Sequence, residues 1–427
     1  MFLRALIGAG MSAHRLLVVV ALGLAIPIAS AKAQSQNTLT LNDALQRTLA
    51  SDNTIAAAYA RIRGAQAGVY QASRYPNPTI GIDFDNFAGS RTYRGSRSME
   101  TTFFLQQQIE LGGQTAARTK VARTELDATR VRSELRVLDL LREVELAFID
   151  VVVAGAQLRI AEERLAIVRQ LQGEIDKRVD AGRDGTHVKA RSDAQVALEQ
   201  IAVDQARATY DIARKTLAAH WKGSPNFHVD LTGFEEVVSI PDRKGFSVEI
   251  ALLEAERDTA AARVELQKAN AIPTPAIRLG ARRFNDTDDT GVIAGIAIPI
   301  PLFDTNEGNI KRAEAERKAA ELEVINARRA VTREFERLRA RLIASANEAK
   351  RIQNEVIPRA QQAVQLVRDG LERGGFTFLE FVDAQRTLND ARLRRIEALR
   401  TFHADNAAFR RLTGYHARIR APQKGNR

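Results

Sequence analysis

The chain has 427 residues, a formal charge of +11 at pH 7 and no cysteine. The absence of cysteine excludes disulfides, thiolate metal sites and a cysteine nucleophile. The positive charge does not indicate a nucleic-acid partner, because arginine and glutamate are interleaved along stretches such as 328–341, a pattern typical of solvated helix faces. We therefore predict no nucleic-acid partner.

Residues 1–33 have the layout of a secretory signal. Arginines lie near the start, 16–28 form an apolar core, and 31–33 form a small-x-small cleavage site. A transmembrane anchor is the alternative, but the apolar run is shorter than the roughly 20 residues that a helical span needs. Translation could begin at Met1 or Met11. We expect an exported chain without a lipid-bearing cysteine or a transmembrane helix.

The first large unit is predicted at 34–223. It begins with a helix over about 40–74, which Thr40 can cap with its hydroxyl. A β-hairpin follows at 79–110, where apolar and polar residues alternate around a glycine-bearing turn. A coiled coil at 114–222 completes the unit, with apolar residues at alternating steps of four and three.

The same order of elements recurs at 247–414. The predicted elements of this second unit are a helix at 247–272, a hairpin at 276–301 and a coiled coil at 309–413. A Pro-x-Pro motif precedes both hairpins, and Asp-Ala-Gln follows both glycine turns at an offset of 190 residues. The chain therefore contains two tandem structural repeats. Between them, 224–246 is predicted as a small equatorial insertion, and after them 415–427 as a basic disordered tail.

One face of each hairpin is largely apolar. This face carries Ile80, Ile82, Phe84, Phe103, Leu105, Ile277, Leu279, Ile296 and Ile298. Each strand is predicted to have about 9–11 residues, the length of a tilted membrane strand. A lone amphipathic hairpin would suit a soluble core, but two matched hairpins in an exported chain favour lipid contact for this face. Four strands cannot close a barrel alone, so insertion into a membrane requires an oligomer.

Signatures of catalysis and of metal binding are missing from the predicted mature chain. It has no phosphate-binding glycine loop, its five histidines are scattered, and it retains a single methionine. Its acidic residues resemble solvated coiled-coil charges. We predict no enzyme, no cofactor and no catalytic or metal-ligating residues.

The order helix, Pro-x-Pro, hairpin, long coiled coil and glycine turn, repeated behind a signal, resembles the TolC-like outer-membrane efflux proteins. The motifs at 109–113, 298–304 and 378–380 are most similar to the CzcC-like branch, which serves cobalt–zinc–cadmium resistance-nodulation-division (RND) pumps. The resemblance covers nearly the whole predicted mature chain. It implies a mainly α fold with a membrane β-barrel portion, formed by a homotrimer with a twelve-stranded barrel in outer-membrane lipid and a periplasmic α-helical tunnel.

The resemblance also implies the partners and the role. A proton-driven inner-membrane RND transporter and a periplasmic adaptor protein would supply energy and select the substrate, and this chain would be a passive exit channel for divalent metals. A multidrug or protein-secreting channel of the same fold is the main alternative. A periplasmic adaptor or a structural coiled-coil protein would also contain long helices, but neither needs two bilayer-length hairpins.

The two glycine turns are predicted as periplasmic tips that dock the adaptor, because they lie farthest from the strands. The tip residues are Gly182, Gly185, Thr186, Gly374, Gly375 and Thr377. Plain helix termination explains these glycines equally well.

Glu380 and Asp383 are predicted to form a gate, because residues three apart share a helix face. In a trimer they would give six carboxylates, a ring that holds cations and repels anions. The resemblance implies the same role, although Thr377 stands where a basic latch residue is often found. The alternative is that both are ordinary acids near a helix N-terminus, where the helix dipole favours them.

Overall fold

The computed structural model describes residues 38–229, 232–236 and 247–418, and these are mostly helical. The predicted signal and most of the tail lie outside the described residues, as does part of the predicted insertion. Within the described ranges, no helix is both long enough and apolar enough to cross a membrane.

The elements follow one order twice. The first half contains β1 (Thr38–Leu39), α1 (Leu41–Ser51), α2 (Asn53–Ala72), β2 (Thr79–Asp85), β3 (Glu100–Gln108), α3 (Gln114–Asp180) and α4 (Thr186–Ala219). The connecting part contributes β4 (His228–Val229) and the single turn α5 (Thr232–Glu235). The second half contains α6 (Val248–Asn270), β5 (Ala276–Phe284), β6 (Thr290–Ala297), α7 (Glu307–Arg351), α8 (Ile357–Glu372) and α9 (Phe378–Leu412). A π-helical segment, Ile352–Val356, joins α7 to α8, and 3₁₀ turns lie at Arg91–Tyr93 and Tyr415–Arg418.

The helix predicted over 40–74 is two helices. Asp52 has an extended backbone (φ −77°, ψ 134°), and its carboxylate accepts a hydrogen bond from the Thr54 N–H at 2.6 Å. This aspartate therefore ends α1 and caps α2, because its side chain offers the backbone an alternative to the helical bond. The capping box predicted at the start of α1 is confirmed, with Thr40 and Asp43 each accepting from the other's backbone N–H.

The four long strands form one antiparallel sheet in the order β2-β3-β5-β6. They have 7, 9, 9 and 8 residues, so β2 and β6 are shorter than the predicted 9–11. After β2, Asn86 takes a positive φ of 55° and turns the chain. Beyond β6, Pro299 and Pro301 have no N–H to donate to a ladder. Ile298, predicted as a strand residue, therefore lies just outside β6.

A second sheet, which the sequence did not predict, pairs β1 with β4 in parallel. The sequence alternates briefly at 227–231, around β4, but each strand has only two residues, so nothing in the sequence identifies β1 as the partner of β4. Leu39 of β1 and Phe227 next to β4 are both buried in a cluster with Leu141, Val144 and Val151 of α3. Part of the predicted insertion at 224–246 is thus packed against the helical core.

The long helix α3 has 67 residues and supplies much of the core. It packs against α2, α4, α6 and α9. The first helix of the coiled coil predicted at 309–413 is not continuous α-helix, because the π segment interrupts it just before Pro358.

The predicted disordered tail begins with an ordered turn, which corrects the prediction for its first residues. The 3₁₀ turn Tyr415–Arg418 places His416 in a buried position. The imidazole Nε2 of His416 lies 3.4 Å from Glu145 Oε2 of α3. The sequence missed this contact because its partner is 271 residues away.

Candidate functional site

The apolar face of the four-stranded sheet is uncovered in the single chain. All nine predicted residues on this face are exposed, from 40% for Ile277 to 80% for Ile80. Ile82 lies opposite Phe103, and Leu105 lies opposite Leu279, so these residues share one side of the sheet. Val292 of β6 lies on the same side and is 88% exposed. Ile298 is also exposed, although it follows the strand.

The opposite face of the sheet carries a band of paired charges. Arg282 of β5 donates to Glu100 at 2.6 Å and to Asp85 at 3.2 Å. Arg278 of β5 pairs with Asp83 of β2, and its guanidinium lies 3.4 Å from the centroid of the Phe104 ring. We define Asp83, Asp85, Glu100, Arg278 and Arg282 as the charged band. It ties the first hairpin to the second, a pairing that the alternation of polar residues could not specify.

The two predicted tips lie side by side at one end of the helices. Arg178 of α3 joins them, because its Nη1 donates to the Leu371 carbonyl at 3.0 Å while its Nε donates to Asp184 at 2.7 Å. Gly182 and Gly374 have φ of +71° and +78°, a conformation that favours glycine. The sequence predicted both turns and missed the arginine that links them.

The remaining tip residues define how the next helices begin. Gly185 is the extended residue before α4, and Thr186 is the first residue of that helix. The Gly375 N–H donates to the Gly370 carbonyl at 2.8 Å. Thr377 caps α9.

A cavity of about 800 Å³ lies between the two turns. Its lining combines apolar side chains, such as Phe376 and Leu379, with cationic ones, such as Lys177 and Arg183. Phe378, which also lines the cavity, and Phe381 are buried against Leu171 and Ile175 of α3.

The Glu380 carboxylate is hydrogen-bonded within the N-terminal cap of its own helix, α9. Its carboxylate accepts hydrogen bonds from the Thr377 N–H at 2.7 Å and from the Thr377 hydroxyl at 2.8 Å. These bonds hold the pKa of Glu380 below its usual value. Asp383 lies one turn later, is exposed, and has no side-chain partner among the residues described here. The two predicted gate residues are therefore adjacent, but only Asp383 has a carboxylate free of the helix cap.

The described part of the chain contains no group of three or more histidine, cysteine, aspartate or glutamate residues that could hold a metal ion. An ion pair with a buried carboxylate joins α3 to α9. Glu145 pairs with Arg410 at 2.9 Å and is 4% exposed.

Comparisons with known proteins agree with this architecture. The chain is 27% identical to the cobalt-zinc-cadmium resistance protein CzcC of Cupriavidus metallidurans over 84% of this chain and 86% of that protein. It is 28% identical to the nickel and cobalt resistance protein CnrC of the same organism, over 65% of this chain and 66% of that protein.

Solved structures share the fold. The outer membrane protein VceC of Vibrio cholerae has a TM-score of 0.73 at 18% identity, covering 88% of this chain and 96% of VceC. The family model for outer membrane efflux proteins matches residues 44–221 and again 247–415. The chain therefore belongs to the outer membrane efflux protein family, whose members are channels and not enzymes.

Proposed function

We propose that this outer-membrane efflux channel exports divalent heavy-metal cations, such as cobalt, zinc, cadmium or nickel, as part of a tripartite proton-driven system. The observation that carries the substrate proposal is that three matched relatives are named for resistance to these metals. In this proposal the channel is passive. A periplasmic adaptor and an inner-membrane RND transporter select the metal, so this chain needs no ligand cluster of its own.

Growth on metal salts tests the substrate. The gene should be deleted from its host and restored, and growth should be measured with graded cobalt, zinc, cadmium and nickel. We expect deletion to lower the tolerated metal concentration and the restored gene to recover it. Unchanged metal tolerance, together with sensitivity to organic drugs or loss of a secreted protein, would favour the alternative of a multidrug or protein-secreting channel.

The proposed assembly is a homotrimer of two tandem units per chain, 34–223 and 247–414. Three sheets would form a twelve-stranded barrel in outer-membrane lipid, and the long helices a periplasmic tunnel. The exposed apolar face supports this proposal, because eight of the predicted side chains lie on strands and, together with Val292, form an apolar surface that requires a cover. Light scattering of detergent-purified protein tests it, and a water-soluble monomer obtained without detergent would contradict it.

Adaptor docking is proposed at the paired turns. The cavity between them supports this, since its lining of apolar and charged side chains could receive the end of a partner's helical hairpin. The test is crosslinking to the adaptor after bulky substitutions, Gly185→Trp and Gly375→Trp. Gly173→Trp is the matched control, because this glycine lies on α3 with open space around it. Loss of crosslinking only in the tip variants is the expected result.

The proposed gate is a ring of Asp383 and Glu380 from three copies. Because Glu380 is engaged in its helix cap, Asp383 should dominate the selectivity of the ring. Single-channel conductance in planar bilayers should show that Asp383→Asn weakens cation preference and block by divalent ions, with a smaller effect for Glu380→Gln. Asp390→Asn, about two turns further along α9, is the control. Wild-type behaviour of Asp383→Asn would place the gate elsewhere.

A further inference from the structure

The four-stranded sheet has two free edges, β2 and β6. The Ile109 N–H donates to the Pro275 carbonyl at 2.8 Å, and the Phe284 N–H donates to the Asp289 carbonyl at 3.0 Å. These two bonds identify which residues of each strand direct their backbone groups toward which neighbouring strand. In an antiparallel ladder, alternate residues bond to alternate sides. The backbone groups that point away from the sheet therefore belong to Ile80, Ile82 and Phe84 on β2, and to Val292, Ala294 and Ile296 on β6.

The two hairpins correspond residue by residue. A shift of 197 residues relates β2 to β5, as the Pro-x-Pro motifs do, and a shift of 191 relates β3 to β6. These shifts convert the pair Thr79–Gln106 of the first hairpin into Ala276–Ala297, which is a pair of the second. The strand registers thus agree with the sequence shifts.

Within one chain, β3 of the first hairpin pairs with β5 of the second. The corresponding junction between two copies joins β6 of one to β2 of the next. We infer that this junction forms with the register of the internal one, so that Ile296 lies opposite Ile82 of the partner subunit. This inference rests on the assembly proposed above. The internal pair from which it derives is Leu105–Leu279.

The backbone phase and the side chains both fit this register. Ile296 and Ile82 each carry outward-pointing backbone groups, so they can form a hydrogen-bonded pair. Both side chains lie on the exposed apolar face. A shift by one residue would place apolar side chains on the charged face and misalign the backbone groups. Shifts by two residues keep both features, and only the correspondence between hairpins distinguishes them.

The register also extends the charged band between copies. Arg278 lies opposite Gly295 of β6, and a Cβ at Gly295 would meet open space. The inferred register places Asp83 of the partner subunit directly beyond Gly295, on the same face. Arg278, which pairs with Asp83 of its own chain, would then have a second carboxylate within two strand spacings, about 10 Å.

Cysteine crosslinking tests the register, and the chain has no native cysteine to interfere. The full chain with Ile296→Cys is combined with Ile82→Cys, or with Ile80→Cys or Phe84→Cys as matched controls. Cells bearing each variant in their outer membrane are oxidised with copper phenanthroline, and covalent dimers and trimers are measured on non-reducing gels. A directly opposite pair has Cα atoms about 5.5 Å apart, which suits a disulfide. The controls are displaced diagonally, so their cysteines are farther apart.

We expect several-fold more reducible dimer and trimer from the Ile82 pair than from either control. Stronger crosslinking of a control pair would overturn the register while leaving the trimeric channel intact. No crosslinking in any pair from protein that light scattering shows to be a trimer would also overturn it. A monomer in detergent would contradict the proposed assembly itself. A disulfide within one chain is not expected, because β2 and β6 are opposite edges of the sheet, and it would not add the mass of a second chain on the gel.

Discussion

The two helical hairpins follow one plan and differ in the regularity of their long helices. In the first hairpin, α3 is an uninterrupted α-helix of 67 residues. In the second, the π segment Ile352–Val356 separates α7 from α8, and the Ile357 N–H bonds to the Ile352 carbonyl five residues back. Pro358 follows at once. A proline lacks the N–H of the α-helical bond and its ring crowds the carbonyl four residues earlier, so a wider turn relieves the strain. Pro358 thus accounts for this difference between the two long helical runs.

The turns of the two hairpins differ as well. The first is closed by a side-chain ion pair, Arg178–Asp184. The second is closed by the Phe376 ring, which lies against Gly370, and by the capping box between Thr377 and Glu380. The first turn has no side-chain cap, since Gly185 precedes its helix. The same bend is therefore stabilised by charge in one half and by packing and capping in the other.

The largest predicted effect concerns the buried ion pair between Glu145 of α3 and Arg410 of α9. Arg410→Met would remove the guanidinium partner of Glu145 and leave this buried carboxylate with only the 3.4 Å contact to the His416 imidazole. We expect a loss of about 3–5 kcal/mol in the free energy of unfolding, the usual consequence of breaking a buried pair. Guanidinium unfolding in detergent, followed by circular dichroism, measures it.

The control for this prediction is an exposed ion pair between the same two helices. Arg400 pairs with Asp150 at 3.1 Å, and the two side chains are 46% and 51% exposed. Arg400→Met should therefore cost no more than about 1 kcal/mol. Equal losses for the two variants would show that burial does not distinguish these contacts.

A proline exchange tests the difference between the long helices. Val168 of α3 stands 190 residues before Pro358, the same offset as between the glycine turns. Val168→Pro should cost about 3 kcal/mol, because α3 has no π segment to receive the ring. Val168→Ala, which removes only packing, should cost about 1.5 kcal/mol. Pro358→Val should change the stability by less than about 1 kcal/mol. Denaturant unfolding measures these free energies. If Val168→Pro lowers the free energy of unfolding no more than Val168→Ala does, α3 accommodates a proline as readily as the helical run around Pro358.

Two threonine substitutions test the difference in capping between the two turns. Thr377→Ala removes the hydroxyl that caps α9 and should cost about 1 kcal/mol. Thr186→Ala, at the start of α4, should have little effect, because that helix has no side-chain cap. Thermal unfolding of the two variants side by side measures the difference. Equal shifts would mean that the cap contributes nothing beyond the turn itself.

The smallest predicted effect is a pH dependence at the second turn. The hydrogen bonds from Thr377 lower the pKa of Glu380 in the folded chain. The ionised carboxylate therefore stabilises the folded state above the unfolded pKa, near 4.5, and this contribution is lost as the pH falls through the lower folded value. The stability difference between wild type and Glu380→Gln should shrink as the pH is lowered from 7 to about 3. A difference that is constant with pH would show that the charge of Glu380 does not matter to the cap.

Local signals in the sequence predicted much of the architecture. The capping threonine Thr40, the turn glycines and the change of apolar period from about 3.6 to 2 act within a few residues, so the cap of α1, the start of α3 near residue 114 and the two tip turns could be anticipated. The apolar strand residues followed from the same alternation. The sequence analysis missed the break between α1 and α2 at Asp52 and the π segment before Pro358. Asp52 and Pro358 were visible in the sequence, but a helical pattern of apolar residues that continues on both sides hides the effect of a single helix-breaking residue.

Tertiary structure alone decided which charges meet. The chain has 63 basic and 52 acidic residues, and nothing in their spacing selects Arg178 for the Leu371 carbonyl or Arg278 for Asp83. Such contacts depend on which helix faces and strand edges come together, and that is set by the packing of the whole core. Glu380 illustrates the same limit at short range. Its place three residues after Thr377 was visible in the sequence, but only the side-chain geometry assigned its carboxylate to the helix cap and left Asp383 free.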